Sequence, residues 1–182
     1  MIESKGKIRV LRIINRFNLG GPTFNVAYLT RYMDDRFETM LLGGTKDESE
    51  ASSEFILEDL GIKPTVISEM KRAISPKSDY KSFQEISRAI KEFRPHIVHT
   101  HAAKSGTLGR LAAFQNNAPI VLHTFHGHIF HSYFGKASTT IYKLIERYLA
   151  KRSSRIIAIS QLQADELSII HKIVDPSKIE IV

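Results

Sequence analysis

Cysteine is absent from the 182 residues, which excludes a disulfide framework and any thiolate metal shell. No apolar run comes near the eighteen or so residues that cross a bilayer. The leading Met1-Ile2-Glu3-Ser4-Lys5-Gly6 also lacks the apolar core of a secretory signal. A cytoplasmic protein is the expectation. Neither G-x-G-x-x-G nor G-x-x-x-x-G-K-[S/T] occurs, so the dinucleotide and P-loop fingerprints are missing. Asp and Glu are missing between Asn116 and Lys143, the stretch that holds His123, His126, His128 and His131. A metal cluster there would have no carboxylate to complete it, and no metal or cofactor is expected. Internal repeats and low-complexity segments are absent too.

What is present describes a globular chain. Hydrophobic residues make up 42% and charged residues 25%, which excludes collagenous, mucin-like and disordered readings. At about 150 residues per domain, the length fits one large domain or the front part of a longer protein. The chain stops at Glu180-Ile181-Val182, partway through an apparent strand, and the second reading is the expectation. Lys and Arg total 26 against 19 Asp and Glu, a net charge of +7, which favours an anionic partner. The excess is local: six basic residues lie between Lys136 and Arg155 against one acid, Glu146, whereas Lys46 to Glu69 is acidic.

Periodicity supplies the architecture. The apolar stretch Ile8 to Ile14 reads as a buried strand, runs into Asn18-Leu19-Gly20-Gly21-Pro22, and is followed by a helix with Val26, Leu29 and Met33 on one face. Gly20 and Gly21 are expected to adopt torsions closed to other residues, and Pro22 suits the first helical position. Further strands are expected at Phe37 to Leu42, Thr65 to Ile67, His96 to Thr100, Ile120 to Thr124, Ile156 to Ile159 and from Ile179. The helices between them are Glu54 to Leu60, one carrying Phe83, Ile86, Ile90 and Phe93, one carrying Leu108, Leu111 and Ala112, Ser138 to Ala150, and Gln161 to Ile170. Lys71 to Asp79 reads as a surface connection. Seven strands alternating with helices mean a Rossmann-like parallel sheet with helices on both faces.

Ligands of such sheets bind beyond the carboxyl ends of the strands. Gly20-Gly21-Pro22, the His101-to-Gly106 segment and Phe125-His126-Gly127-His128 converge there. The glycine turn offers backbone N–H groups at a helix start, suited to phosphate; a ligand-free tight turn is the alternative. His99 reads as a hydrogen-bonded core histidine. His126, after a strand and before a glycine, is placed to donate to a hydroxyl or a developing negative charge. Lys104 is expected to meet an anionic group or else to be a solvated lysine. Lys143, Arg147 and Lys151 recur at i, i+4 and i+8, opposite a face carrying Ile141, Leu144, Ile145, Tyr148 and Leu149. That basic face is either solvated or meets anionic lipid, with Phe125, Ile129, Phe130, Tyr133 and Phe134 in the preceding loop.

Four segments taken together resemble a known family: Asn18 to Pro22 after the first strand, HIVHTHAAKSGTLGRLAA (96–113), VLHTFHGHIF (121–130) and RIIAIS (155–160). They resemble the N-terminal domain of the large retaining glycosyltransferase family four, with a GT-B fold. The resemblance covers nearly the whole chain. It implies two Rossmann-like domains across a cleft, residues 1–182 forming the N-terminal, acceptor-side domain and a C-terminal nucleotide-sugar-binding domain lying outside this sequence. By that resemblance Gly20 and Gly21 approach the donor diphosphate, His126 lies against the transferred sugar as the catalytic residue, and no metal is required. His101, Lys104 and Ser160 are the expected substrate contacts. The implied activity moves a hexose from a nucleotide sugar to an acceptor hydroxyl, with retention, in cell-surface polysaccharide or glycolipid synthesis. The implied partners are a nucleotide-sugar donor, a sugar or lipid-linked acceptor and an anionic membrane surface, the protein being peripheral on the inner face, with no nucleic acid. The alternatives are a non-catalytic nucleotide- or anion-binding module and a sugar-nucleotide epimerase of the same fold.

Overall fold

A computed structural model describes residues 6–127 and 136–182, except the side chains of 136–138. The first strand, β1 (Ile8–Arg16), is apolar at consecutive positions and buried on both sides, as a central parallel strand must be. It is followed by α1 (Gly21–Arg31), β2 (Phe37–Gly44), α2 (Glu54–Asp59), β3 (Thr65–Ile67) and α3 (Pro76–Phe93). Then come β4 (Ile97–His101), α4 (Ala103–Gln115), β5 (Ile120–Phe125), α5 (Lys136–Arg152), β6 (Arg155–Ala158), α6 (Gln161–Asp165) and β7 (Ile179–Ile181). The seven strands form one sheet in the order β3-β2-β1-β4-β5-β6-β7, every neighbouring pair parallel. The expected fold class is therefore observed.

Registers divide the side chains between two faces. Ile13 pairs with Leu42 and Thr100, and Thr100 with His123. That face carries Leu11, Ile13 and Val98 against Ile86 and Ile90 of α3 and Ala112 and Ala113 of α4. Fully burying each isoleucine is worth about 1.5–3 kcal/mol. The same face continues through Phe125, Ile156 and Ala158 to Ala150 of α5 and Ala164 of α6. On the other face Ile14 and Leu41 pack under Val26 and Ala27 of α1 and Ile56 and Leu57 of α2. Arg12, the register partner of Leu41 and His99, lies on this second face, as does His101 two positions beyond His99.

Several expectations change. Met33 lies beyond the end of α1, whose buried side is Thr23, Val26 and Ala27. Pro76 opens α3, so part of the expected 71–79 connection is helix. The last helix is α-helical only over Gln161–Asp165 and continues as a π-helical turn, Glu166–Ile170. The largest correction concerns α5. Its apolar residues Ile141, Leu144 and Tyr148 are 60%, 55% and 52% exposed, whereas Glu146, Leu149 and Ala150 are fully buried. The helix turns its acid inward because Arg110 of α4, itself fully buried, holds Glu146 through two bonds from Nη2 at 2.8 and 2.7 Å. A charge without that partner would not survive there.

Candidate functional site

The strand order reverses between β1 and β4, and a doubly wound sheet opens a crevice at the carboxyl ends of such strands. The turn after β1 is braced on both sides. Asn18 forms an antiparallel bridge with Ser52, Leu19 N donates to Ala51 O at 2.9 Å, and Thr23 Oγ1 donates to Asn18 O at 2.7 Å. Glu50 accepts two bonds from Arg16, at 2.8 and 2.5 Å, and one from Asp47 N at 3.0 Å. The Arg16 guanidinium draws the Glu50 carboxyl down to about 2. This strap went unread in the sequence, because a Lys46-to-Glu69 acidic run hides one paired glutamate among solvated ones.

Gly20 and Gly21 both lie at this turn, Gly21 as the first residue of α1. The expected special torsions are absent: Gly20 has φ 168°, extended backbone open to any residue. A Cβ at Gly20 would meet only Pro22 Cδ at 3.7 Å, and one at Gly21 would meet nothing within 4 Å. The fold does not itself demand glycine here, and the space above the turn is open.

β4 and β5 bring four histidines together. His99 Nε2 is 2.8 Å from Thr124 Oγ1, His123 Nδ1 is 2.8 Å from Thr100 Oγ1, and His101 Nδ1 is 2.9 Å from His126 Nε2. The ring centroids of His99 and His101 lie 4.1 Å apart, and those of the hydrogen-bonded His101 and His126 lie 5.2 Å apart with the planes inclined by 26°. His99, read as a core histidine, is one. Burial keeps all four neutral: His126 falls from 6.5 to about 4, and His99 to about 3 with help from Arg12 and His126. His101 and His123 are driven well below 6.5, again by burial first. Arg12, 3% exposed, has Nε and Nη1 buried without a hydrogen-bond partner among the described residues, and burial lowers it to about 10, still protonated at neutral pH.

The backbone is constrained on both sides of the cluster. Ala102, directly after His101, has φ 65° and ψ 166°, a conformation normally left to glycine. Gly127, directly after His126, has φ 151° and does carry the glycine such backbone favours. Its carbonyl accepts from Gln163 Nε2 at 2.9 Å, while Gln163 Oε1 accepts from Ile159 N at 2.9 Å, tying the end of β5 to that of β6.

Lys104 stands near the start of α4 but is not solvated. Its ammonium pairs with Asp79 and donates to the carbonyls of Lys71 and Ala73, at 2.9 and 2.5 Å, so it fastens the start of α3 to α4. Ser160 is exposed at the end of β6, and its Oγ accepts from Gln163 N at 3.2 Å, capping α6. On α5, Arg147 donates to the carbonyls of Lys172 and His171 at 2.9 and 2.8 Å. His128, Ile129, Phe130, His131, Tyr133 and Phe134 lie outside the described residues, as does the Lys136 side chain.

A seven-stranded, doubly wound parallel sheet with helices on both faces defines a Rossmann-like domain of the GT-B type. The Glycosyltransferase Family 4 profile matches residues 19–182, and the chain belongs to that family. A curated UDP-Gal:alpha-D-GlcNAc-diphosphoundecaprenol alpha-1,3-galactosyltransferase of Escherichia coli is 35% identical over 124 residues, 68% of this chain and 32% of the relative. Among solved structures, a glycosyltransferase from Rickettsia africae superposes with a TM-score of 0.69 at 19% identity, covering 97% of this chain and 42% of that one. A UDP-GlcNAc 2-epimerase from Neisseria meningitidis, bound to UDP-GlcNAc, gives 0.67 at 14%, covering 95% and 45%. At such identities these two share the fold with this chain. The chain spans about a third of the curated relative's length and under half of either solved protein.

Proposed function

We propose that residues 1–182 form the N-terminal, acceptor-side domain of a hexosyltransferase whose donor-binding domain lies in further sequence. The donor is a UDP-hexose and the acceptor a hydroxyl of a lipid-diphosphate-linked sugar, a choice resting on the 35%-identical relative, whose name states that chemistry. The observation that carries the reading is that His126, directly after β5, and the turn at Gly20 and Gly21, after β1, both follow the carboxyl ends of parallel strands of one sheet. In the reaction the bond from the anomeric carbon to the diphosphate breaks, and the diphosphate leaves with the electron pair. The acceptor oxygen bonds to that carbon from the same face, and its proton passes to a leaving phosphate oxygen.

Each residue has a part in that scheme. The glycine turn lets the diphosphate approach the N-terminus of α1, whose positive end stabilises the growing charge. A neutral imidazole at His126 hydrogen-bonds to the transferring sugar, and stabilisation of this kind is typically worth 10²–10³ in rate. Ser160 lines the acceptor side, and His101 serves through its contact with His126. Lys104 shapes the rim while it holds Asp79.

A lipid-linked acceptor gives the exposed stripe on α5 a use. Ile141, Leu144, Ile145 and Tyr148 recur at i, i+3, i+4 and i+7 and are exposed, with Lys151 and Arg152 in the last turn of the helix. An apolar stripe beside basic residues suits an anionic membrane surface, although no described helix is long and apolar enough to cross a membrane. The test of the proposal is to incubate the full-length protein with nucleotide hexoses, with and without a polyprenyl-diphosphate-linked sugar. Transfer that requires the acceptor is expected. Conversion of the donor without acceptor would replace this reading with epimerisation, and binding without turnover would leave a nucleotide-binding module.

A further inference from the structure

Two neutral imidazoles that share one hydrogen bond have two arrangements of their protons. In one, His101 Nδ1–H donates to His126 Nε2, and His126 carries its proton on Nδ1. In the other, His126 Nε2–H donates to His101 Nδ1, and His101 carries its proton on Nε2. The surroundings of His101 separate them. Its Nε2 is buried and has no hydrogen-bond partner among the described residues. In the first arrangement that atom is a bare lone pair, and in the second it is an orphaned N–H donor. Buried orphan donors are the rarer and costlier defect.

The ring of His101 has no easy way to escape the choice. It is fully buried, its ring tilted against that of His99 with centroids 4.1 Å apart on one side and hydrogen-bonded to His126 on the other. His99 is fixed in turn by Thr124, the register partner of His101. The His101 carbonyl accepts from Ser105 Oγ, which pins the strand end. A third state, an imidazolium at either ring, is opposed by burial, and at His101 also by the Arg12 charge.

We infer that His101 is a positioning residue that locks His126 as its Nδ1–H tautomer, making the nitrogen of His126 not bonded to His101 a hydrogen-bond donor. The consequence for transfer rests on the function proposed above: His126 then meets an oxygen of the sugar or the leaving group as a donor and cannot act there as a base. His101 itself touches no reacting atom.

The test reads the tautomer directly. Long-range proton–nitrogen correlation of the 15N-labelled chain at pH 7 reports which ring nitrogen of His126 carries hydrogen, with His126→Gln assigning the signals. The expected result is Nδ1–H, the form free histidine disfavours. His126 found as Nε2–H overturns the inference. His101→Gln keeps an N–H for His126 and should preserve the tautomer, whereas His101→Leu should release it to Nε2–H; an unchanged tautomer in the leucine variant also overturns it. In the active full-length protein, His101→Leu should lower kcat about tenfold or more with the donor KM nearly unchanged, and His101→Gln should restore most of the loss. Because the spectrum needs no turnover, the expected tautomer in a protein without transferase activity would refute the proposed function and leave the lock standing.

Discussion

Mild acid should destabilise this domain through its buried histidines. Four histidines, His99, His101, His123 and His126, are held neutral in the fold and regain an ordinary value near 6.5 on unfolding. The unfolded chain therefore binds more protons below pH 6.5, so stability is complete above that pH and is lost as pH falls towards the folded values, about 4 for His126 and about 3 for His99. Between pH 7 and 5 each fully buried histidine costs about 2 kcal/mol. Three of them come to roughly 6 kcal/mol and the half-buried His126 adds a smaller share, against a typical domain stability of about 5–15 kcal/mol. Glu50, lowered to about 2, has its contribution intact above pH 4.5 and cannot account for a loss in this window. Urea unfolding followed by circular dichroism at pH 7, 6, 5.5 and 5 measures the effect. A fall of less than about 1 kcal/mol over that range would refute a neutral buried cluster.

Three further outcomes follow from the geometry. Ala102→Gly should raise stability by about 1 kcal/mol, or about 2–4 °C in Tm, by relieving backbone at φ 65°; a lower Tm would mean the residue is not strained. Gly21→Val should change stability by less than about 0.5 kcal/mol, since a Cβ there meets nothing within 4 Å. It should nevertheless weaken nucleotide-sugar binding by the full-length protein in calorimetry, and unchanged affinity would leave the turn purely structural. The α5 stripe should drive cosedimentation with anionic vesicles that fades with salt and is lost in Ile141→Ser/Leu144→Ser at unchanged Tm; no binding at low salt would favour a soluble acceptor.

The architecture was legible because each strand is a short, nearly continuous apolar run and each crossover helix, α3 above all, repeats its apolar residues at helical spacing. α5 misled the same reasoning. Periodicity assigns Ile141, Leu144, Ile145 and Tyr148 to the core, but the inward face is chosen by Arg110, thirty-six residues earlier, which needs Glu146. A buried ion pair between two helices leaves no periodic signal. Lys104 reads from sequence as a free cation because Asp79 and the carbonyls of Lys71 and Ala73 reach it only through the fold. His126 stood out by its place between a strand and a glycine, whereas its contact with His101 depends on β4 and β5 being neighbours in register. The orphaned Arg12 and the torsion at Ala102 have no sequence signature at all.

The central claim is that His126 faces the reacting sugar, and His126→Ala in the full-length protein tests it most directly. Its ring is half-buried and, among the described residues, bonds to His101 alone, so folding should change little. Steady-state transfer from a nucleotide hexose to a lipid-linked acceptor should show kcat reduced by about 10²-fold or more, with the circular dichroism spectrum retained. Equal kcat in variant and parent would contradict the account and return His126 to the structural histidines beside it.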